Sequence, residues 1–146
     1  MKNRLRLILR GVAVLVVLLL LIQGVPYGKD HTNPPVESEP KWDSPATRDL
    51  ASRACFDCHG NETIWPWYSS IAPLSWLIYN DVQEGRRHLN FSEWGRGGKG
   101  KSVGKIVKTI RKGEMPMLIY LPTHPQAWLT AAEKQALMDG LLKSIR

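Results

Sequence analysis

The sequence predicts an all-α protein, in which a small helical domain follows an N-terminal transmembrane helix. Three observations lead to this fold class. An uninterrupted apolar run occupies residues 11–22, directly behind a basic segment. Further along the chain, apolar side chains recur at the i, i+3, i+4 spacing of helices. No segment alternates apolar and polar residues as a half-buried strand does. The length of 146 residues fits one domain with an appendage.

The composition excludes several broad classes of protein. Apolar residues make up 43% of the chain and charged residues 23%, which fits neither a disordered segment nor a polytopic membrane protein. The net charge is +7, but four of the 20 Lys and Arg residues precede the apolar run. The remaining 16, against 13 Asp and Glu, form no basic stripe with interleaved aromatic residues, so we expect no nucleic-acid partner. Six Trp against two Phe indicate a flat ligand or a small core of large side chains.

Residues 1–27 are predicted to form a membrane anchor. Basic residues up to Arg10 followed by a short apolar run are typical of an export signal. A cleavable signal ends in small residues at −3 and −1, whereas this run ends in Leu21-Ile22-Gln23-Gly24, a poor cleavage sequence, so an uncleaved anchor is favoured. Residues 5–27 can span a bilayer core of ~30 Å if Arg10 extends its charge to the inner interface. The positive-inside rule then places the rest of the chain outside the cytoplasm.

Residues 28–44 are predicted to form a Pro-rich linker. They contain Pro34, Pro35 and Pro40, scattered charges and almost no large apolar side chains. Such a stretch cannot bury a core, so we expect a semi-extended spacer between the membrane and the domain.

Residues 45–146 are predicted to form the domain itself. Its first helix begins with Ser44 as the N-cap and Pro45 in the first turn. A second helix is expected from residue 73 to about residue 87. The apolar face expected for that helix comprises Leu74, Leu77, Ile78 and Val82. Residues 95–104 contain five glycines and are expected to form a mobile loop.

Two further helices complete the predicted domain. The third covers about residues 102–112 and ends at Gly113; its apolar positions are Val103, Ile106, Val107 and Ile110. The last begins at a capping box made by Thr130 and Glu133. Its predicted buried stripe comprises Leu137, Met138, Leu141, Leu142 and Ile145. The domain is short of apolar mass, so we expect another component to fill its core.

The run Cys55-Phe56-Asp57-Cys58-His59 carries the chemistry. In c-type haem attachment two thiols add across the vinyl groups of haem, and the adjacent imidazole binds the iron. Positions i, i+3 and i+4 of a helix share one face, so Cys55, Cys58 and His59 can all point at one porphyrin. The sequence therefore predicts haem c as the cofactor, with His59 as the proximal iron ligand.

Three other interpretations of the two cysteines compete with haem attachment. A redox dithiol would need a βαβ fold, which the pattern does not support. A zinc site could recruit two of His59, His88 and His124, but without the spacing of a zinc finger. A disulfide between Cys55 and Cys58 is possible in an exported protein. The histidine directly after Cys58 favours haem.

Met115 is the candidate distal ligand of the iron. It follows the helix stop at Gly113 and precedes Pro116, so its thioether lies on a stiff turn. Met117 and His124 are the alternatives. His88 is expected to be solvated, and His31 in the linker is not a candidate.

Aromatic residues follow the cysteines closely. Trp65, Trp67 and Tyr68 are candidates for a wall of the haem pocket, and ordinary core packing is the alternative. The sequence Asn61-Glu62-Thr63 matches a glycosylation sequon, although nothing around it supports that role.

Residues 42–145 resemble the small bacterial haem-binding domain family. The residues that carry the resemblance are Trp42, the Cys55–His59 run, Asn61-Glu62-Thr63, Trp65-Pro66-Trp67-Tyr68, Ile71-Ala72-Pro73, Ser75-Trp76-Leu77, Glu84-Gly85-Arg86, Leu89-Asn90-Phe91-Ser92-Glu93-Trp94, Gly113-Glu114-Met115-Pro116 and Leu129-Thr130 with Glu133. The resemblance implies a cytochrome c-like helical fold in a periplasmic, membrane-tethered haem protein. Met117 stands where members of that family tend to have Pro.

Two functions are consistent with these residues. The first is an electron-transfer cytochrome of the inner membrane, single-pass, with its haem domain facing the periplasm, a redox partner protein and no catalytic residues. The second is a haem enzyme or gas sensor with an open sixth position, which would use His124 or Glu114 as an acid–base group. The basic loop of residues 95–105, with Lys99, Lys101 and Lys105, is a candidate docking surface for an acidic partner.

Overall fold

The protein is all-helical in the residues that the computed structural model describes, 2–95 and 102–145. Five α-helices follow one another: α1 (Lys2–Ile22), α2 (Pro45–His59), α3 (Leu74–His88), α4 (Val103–Arg111) and α5 (Ala131–Ser144). Three short 3₁₀ helices cover Trp67–Ser70, Leu121–Thr123 and Pro125–Ala127. The only β-type contact of the described residues is an isolated bridge between Ser38 and Glu93. The predicted fold class is therefore confirmed.

The chain divides into two compact units. The N-terminal unit comprises Met1–Thr32 and Trp65–Asp81, and the C-terminal unit comprises Asn33–Ile64 and Val82–Arg146. Helix α3 contributes its first half to one unit and its second half to the other.

Helix α1 dominates the N-terminal unit. It is long and apolar enough to cross a membrane, with a mean hydropathy of 2.7 and no buried residues. Directly after it, the Gln23 side chain pairs with the backbone of Ala72: Nε2 donates to the carbonyl at 2.9 Å, and Oε1 accepts from the N–H at 3.0 Å. Nearby, Tyr27 meets Tyr79 edge-to-face at 5.5 Å. The chain that leaves the apolar helix is therefore fixed to the 65–81 segment from its first residue.

The core of the C-terminal unit lies among α2, α4 and α5. Helix α5 packs on both α2 and α4. Phe56 and Phe91 stack at 5.6 Å in the centre, and Trp42 and Trp94 lie against them. Part of the unusual tryptophan content therefore supplies large side chains to a small core.

The local signals for α2 and α5 give the predicted helix starts. The Ser44 side chain accepts a hydrogen bond from the Thr47 N–H, and Pro45 occupies the first turn. Thr130 and Glu133 form the reciprocal bonds of a capping box. Gly113 leaves α4 with a φ of +71°, a conformation that favours glycine.

Two predicted apolar faces need correction. In α3, Leu74 and Leu77 are about half exposed, whereas the helix buries Ser75, Val82 and Gly85. These small residues let neighbouring backbone approach closely, which a pattern of large apolar residues does not detect. In α5, Leu142 is exposed, because it lies beside the stripe that the other four positions form.

The second half of the predicted linker is fixed to the C-terminal unit. The amides of Glu37 and Ser38 donate to the Ser92 carbonyl at 2.9 and 3.2 Å, and the Trp94 amide donates to Ser38 at 2.9 Å. The Asn61 side chain donates to the Pro35 carbonyl at 2.9 Å. From residue 33 onward the segment is therefore part of the folded unit rather than a spacer. Of the expected basic loop, residues 96–101 lie outside the described residues.

Candidate functional site

The Cys55–His59 run forms the last turn of α2. The helix ends at His59 because Gly60 adopts an extended backbone, with a φ of −147°. The i, i+3 and i+4 positions of the run therefore lie on helical backbone, as the spacing predicts. No disulfide joins Cys55 and Cys58.

An open, mainly apolar cleft borders this turn. The space free of protein atoms in it is about 550 Å³, including its open side. It is lined by Ala54, Cys55, His59, His88, Leu89, Phe91, Ile106, Thr109, Ile110 and Met115. Helices α2 and α4, the end of α3 and the segment after α4 thus contribute the walls. Apolar surfaces with a few convergent donor atoms are typical of cofactor sites.

The His59 ring is oriented by backbone carbonyls of the α3 end. Nδ1 lies 3.0 Å from the Gly85 oxygen and 3.1 Å from the Leu89 oxygen. Because a carbonyl only accepts, Nδ1 must carry the proton, and the lone pair of the neutral ring is on Nε2. A histidine that ligates a metal typically donates its other ring N–H in this way.

Gly85 permits this contact. A Cβ atom at residue 85 would lie 2.3 Å from the Cys58 carbonyl oxygen and 3.0 Å from the Cys58 Cβ. The α3 backbone therefore touches the last turn of α2 directly, and any side chain at Gly85 would separate the two. No pattern in the sequence assigns this role to Gly85.

The environment of Cys55 keeps its sulfur protonated. The thiol is packed against the hydrophobic core. Burial, with a smaller contribution from Cys58, raises the pKa of Cys55 to about 12. Cys55 is therefore a thiol at neutral pH.

Met115 lines the cleft together with His59 and Cys55. The structure thus brings the predicted proximal and distal ligands to one cavity. The peptide bond between Met115 and Pro116 is cis. Met117 and His124 are not among the residues that line the cleft. His88 also lines the cleft, and about half of its side chain is exposed, which agrees with the expectation of a solvated histidine.

His124 belongs to a cluster on the other side of the Cys55–His59 run, around Asp57. The Tyr120 hydroxyl donates to Asp57 Oδ2 at 2.6 Å, and His124 Nε2 lies 3.9 Å from the same oxygen. The Tyr120 and His124 rings stack at 3.8 Å. Burial and then the bond to Asp57 raise the pKa of Tyr120 above its ordinary value, so its hydroxyl remains a donor.

The three candidate wall aromatics lie in the N-terminal unit. Trp65 stacks on His31 at 4.5 Å, and Tyr68 meets Trp67 edge-to-face at 5.7 Å. Trp67 is 78% exposed. None of the three is among the residues that line the cleft, and their role as a haem wall stays a prediction.

The residues after the Cys55–His59 run form a buried polar network. Asn61 is 3% exposed; its amide N–H donates to Ser92 Oγ at 2.8 Å and its side-chain oxygen accepts from Asn90 at 2.9 Å. A buried, fully bonded side chain cannot accept a glycan, so the sequon is structural. The Arg86 guanidinium binds the Gly60 carbonyl at 2.9 Å and fixes the chain just beyond His59.

A zinc site lacks the necessary ligands in the described part of the chain. Nowhere within residues 2–95 and 102–145 do three His, Cys, Asp or Glu side chains come together in a way that could hold a metal ion. The donors around the cleft instead comprise a thiol, two imidazoles and a thioether on an apolar wall. This donor set fits a flat, apolar group with an iron at its centre, which is haem.

An all-helical fold and a cleft of this kind are the features of a small helical haem-binding domain. The chain belongs to the haem-binding domain family, whose family model matches residues 17–143. Comparison with the curated proteins and with the solved structures gave no significant match. The family match begins within α1, upstream of the segment that the sequence resemblance covers.

Proposed function

We propose that the protein is a membrane-tethered c-type cytochrome that transfers electrons. The observation that carries this proposal is the state of His59: Nδ1 donates to two backbone carbonyls beside a cleft that Cys55 and Met115 also line. The ring is therefore fixed before any iron binds, with its lone pair on Nε2.

Four residues would hold the haem. The thiols of Cys55 and Cys58 would each add across a vinyl group, with the sulfur bonded to one carbon and the proton transferred to its neighbour. His59 would be the proximal ligand and Met115 the distal ligand. When bound, the haem supplies an iron that alternates between Fe(II) and Fe(III), and a thioether ligand favours Fe(II) relative to a second histidine.

Covalent attachment is the first test of this proposal. The full chain is produced together with a c-type haem maturation system, denatured, extracted with acid acetone and examined as its alkaline pyridine haemochrome. We expect the haem to stay with wild-type protein and to be extractable after Cys55→Ala and Cys58→Ala together. A colourless wild-type protein would contradict haem binding, and extractable haem would contradict covalent attachment.

A haem enzyme or gas sensor is the second candidate, and His88 is the observation that favours it. This imidazole lines the cleft and lies 3.5 Å from Glu84, a pair that could move a proton at an open sixth position. The two candidates differ in their response to carbon monoxide. Slow, weak binding to the reduced protein supports a six-coordinate carrier, whereas rapid binding and peroxide turnover that is lost in His88→Ala support the enzyme.

The N-terminal unit supports retention of the anchor. Gln23 is bonded to Ala72 immediately after α1, and the family match begins at residue 17. We propose a single-pass protein of the inner membrane with the haem domain in the periplasm, because the basic residues before the apolar run remain inside.

An electron carrier needs a redox partner, and the charges of α4 favour an acidic protein. Ile106 and Ile110 line the cleft, while Lys105, Lys108 and Arg111 on the same helix are exposed. Oxidation of the reduced protein by an anionic and by a cationic metal complex tests this charge. The Lys105→Glu/Lys108→Glu variant should slow the anionic oxidant and accelerate the cationic one. If the variant and the wild type react at the same rate with each oxidant, the electrostatic argument is removed.

A further inference from the structure

We propose that the hydrogen bond from Tyr120 to Asp57 is a positioning contact that keeps Met115 at the haem cleft. The inference rests on the proposed function, because it takes Met115 as the distal ligand. It concerns the segment of residues 112–130, called here the Met115 segment, which joins α4 to α5.

The Met115 segment is fixed to α4 just before the methionine. The Gly113 amide donates to the Ile110 carbonyl at 3.0 Å, and the Glu114 amide donates to the Thr109 carbonyl at 3.1 Å. On this side, the position of Met115 is set by the end of α4.

The next four residues provide no such attachment. Leu118 and Ile119 are 77% and 72% exposed. None of residues 116–119 makes a hydrogen bond to a described residue outside the Met115 segment. Tyr120 is therefore the first residue after Met115 that is hydrogen bonded to another element.

The acceptor of this bond, Asp57, belongs to the Cys55–His59 run. Asp57 lies between Cys55 and Cys58, and its second oxygen accepts from the Ile64 amide at 2.9 Å. The carboxylate is thus oriented before Tyr120 binds it. A Tyr120–Asp57 distance of 2.6 Å then fixes the Met115 segment to the turn that would hold the haem.

His124 supports the same contact. Its ring stacks on Tyr120, and its Nδ1 lies 2.9 Å from the Tyr120 carbonyl oxygen. The Tyr120 side chain is therefore restrained on its face and at its hydroxyl. Loss of the hydroxyl alone would remove the link to Asp57 and leave the stacking surface in place.

The effect of this loss follows from the strength of the bond. A hydrogen bond to a charged acceptor shifts an equilibrium by roughly tenfold to hundredfold. If the bond forms only when Met115 is at the cleft, its removal favours detachment of the sulfur by that factor.

Imidazole binding to the ferric, haem-loaded full chain measures this detachment, since imidazole must displace the thioether. We expect Tyr120→Phe to bind imidazole roughly tenfold to hundredfold more tightly and to weaken the far-red band of thioether-bound ferric haem. Asp57→Asn leaves one oxygen for two donors, the Tyr120 hydroxyl and the Ile64 amide, and should also tighten imidazole binding. In the Tyr120→Phe background its effect should be smaller than alone, because the Tyr120 bond is already absent.

Two control variants separate positioning from general stability. Tyr79→Phe removes a hydroxyl that has no hydrogen-bond partner among the described residues. Thr130→Ala removes the α5 cap at the far end of the Met115 segment and lowers the stability of the fold. Both should bind imidazole as the wild type does.

If Tyr120→Phe binds imidazole with wild-type affinity while Met115→Ala abolishes the far-red band, the positioning role is overturned and the assignment of Met115 as ligand is kept. If Met115→Ala leaves the band unchanged, the positioning role and the ligand assignment are both overturned. Tighter imidazole binding in Thr130→Ala as well would show that general destabilisation is responsible, and would also overturn the inference.

Discussion

Gly85 connects the two chemical requirements of the site at the scale of single residues. Its carbonyl accepts from His59 Nδ1, and its Cα approaches Cys58 so closely that no side chain fits. Neither property can be read from the sequence. Every residue has a backbone carbonyl, and Gly85 lies on α3, whereas Cys58 and His59 lie on α2. The pattern of residues 55–59 identifies the donors, whereas the groups that orient them depend on tertiary packing.

Gly85→Ala is therefore expected to destabilise the C-terminal unit by about 1–3 kcal/mol, because α3 must move away from Cys58. Covalent haem yield should fall as well, since the acceptor of His59 moves with it. Urea unfolding and the haemochrome yield measure the two effects.

Gly104→Ala provides the control for this substitution. Gly104 lies within α4, and a Cβ atom there has no neighbour within 4 Å. This variant should gain about 0.4–1 kcal/mol through the unfolded state. Equal behaviour of the two glycine variants would contradict the close approach at Gly85.

Met115→Ala should abolish the far-red band of thioether-bound ferric haem and open the reduced iron to carbon monoxide. The reduction potential should fall, by about 60 mV for each tenfold loss of preference for Fe(II). Spectra and a redox titration give the result.

Met117→Ala is the matched control, because Met117 does not line the cleft. Loss of the band in this variant instead would place the ligand two residues later. An effect confined to His124→Ala would indicate bis-histidine ligation.

At the scale of elements, helix starts were predictable and buried faces only partly so. Ser44 with Pro45, and Thr130 with Glu133, are local signals that act within one turn. The buried face of α3 consists of Ser75, a valine and a glycine, and its selection depends on what packs against it. The association of the Met115 segment with α2 could not be predicted from the sequence either, because Tyr120 and Asp57 are 63 positions apart.

The capping box of α5 gives a pH prediction. Glu133 accepts hydrogen bonds from the Thr130 amide at 2.8 Å and from Arg53 at 2.9 Å, and these lower its pKa from 4.5 to about 2. A carboxyl group with a lowered folded-state pKa stabilises the fold fully above the unfolded-state value, and this contribution disappears as pH falls toward 2.

Glu133→Gln should therefore be less stable than wild type at pH 6, and the difference should shrink steadily between pH 5 and pH 3. Urea unfolding across this range measures it. Asp139→Asn, on the same helix, serves as the control for a change of charge. A difference that grows as the pH falls would contradict the sign of this prediction.

At the scale of the whole molecule, the anchor prediction concerns the fate of residues 1–27. We expect the full chain to stay in the membrane fraction after an alkaline carbonate wash and to keep its N-terminal residues, as mass spectrometry would show. A variant with Ile22→Ala and Gly24→Ala places alanine at −3 and −1 of a cleavage site before Val25 and should release soluble haem protein. Release of a wild-type form that begins near Val25 would show that the segment is a cleaved signal.

The bond between Gln23 and Ala72 also bears on how a form that keeps its anchor would meet other molecules. Because the chain is fixed from the first residue after α1, no flexible stretch separates α1 from the 65–81 segment. With the anchor retained, the N-terminal unit diffuses in two dimensions, and its height above the bilayer is fixed. Proteins of the same membrane would then meet it by diffusion in the plane of the bilayer, whereas a freely diffusing protein gains nothing from the anchor. Encounter rates should therefore depend on the area density of the partner in the membrane.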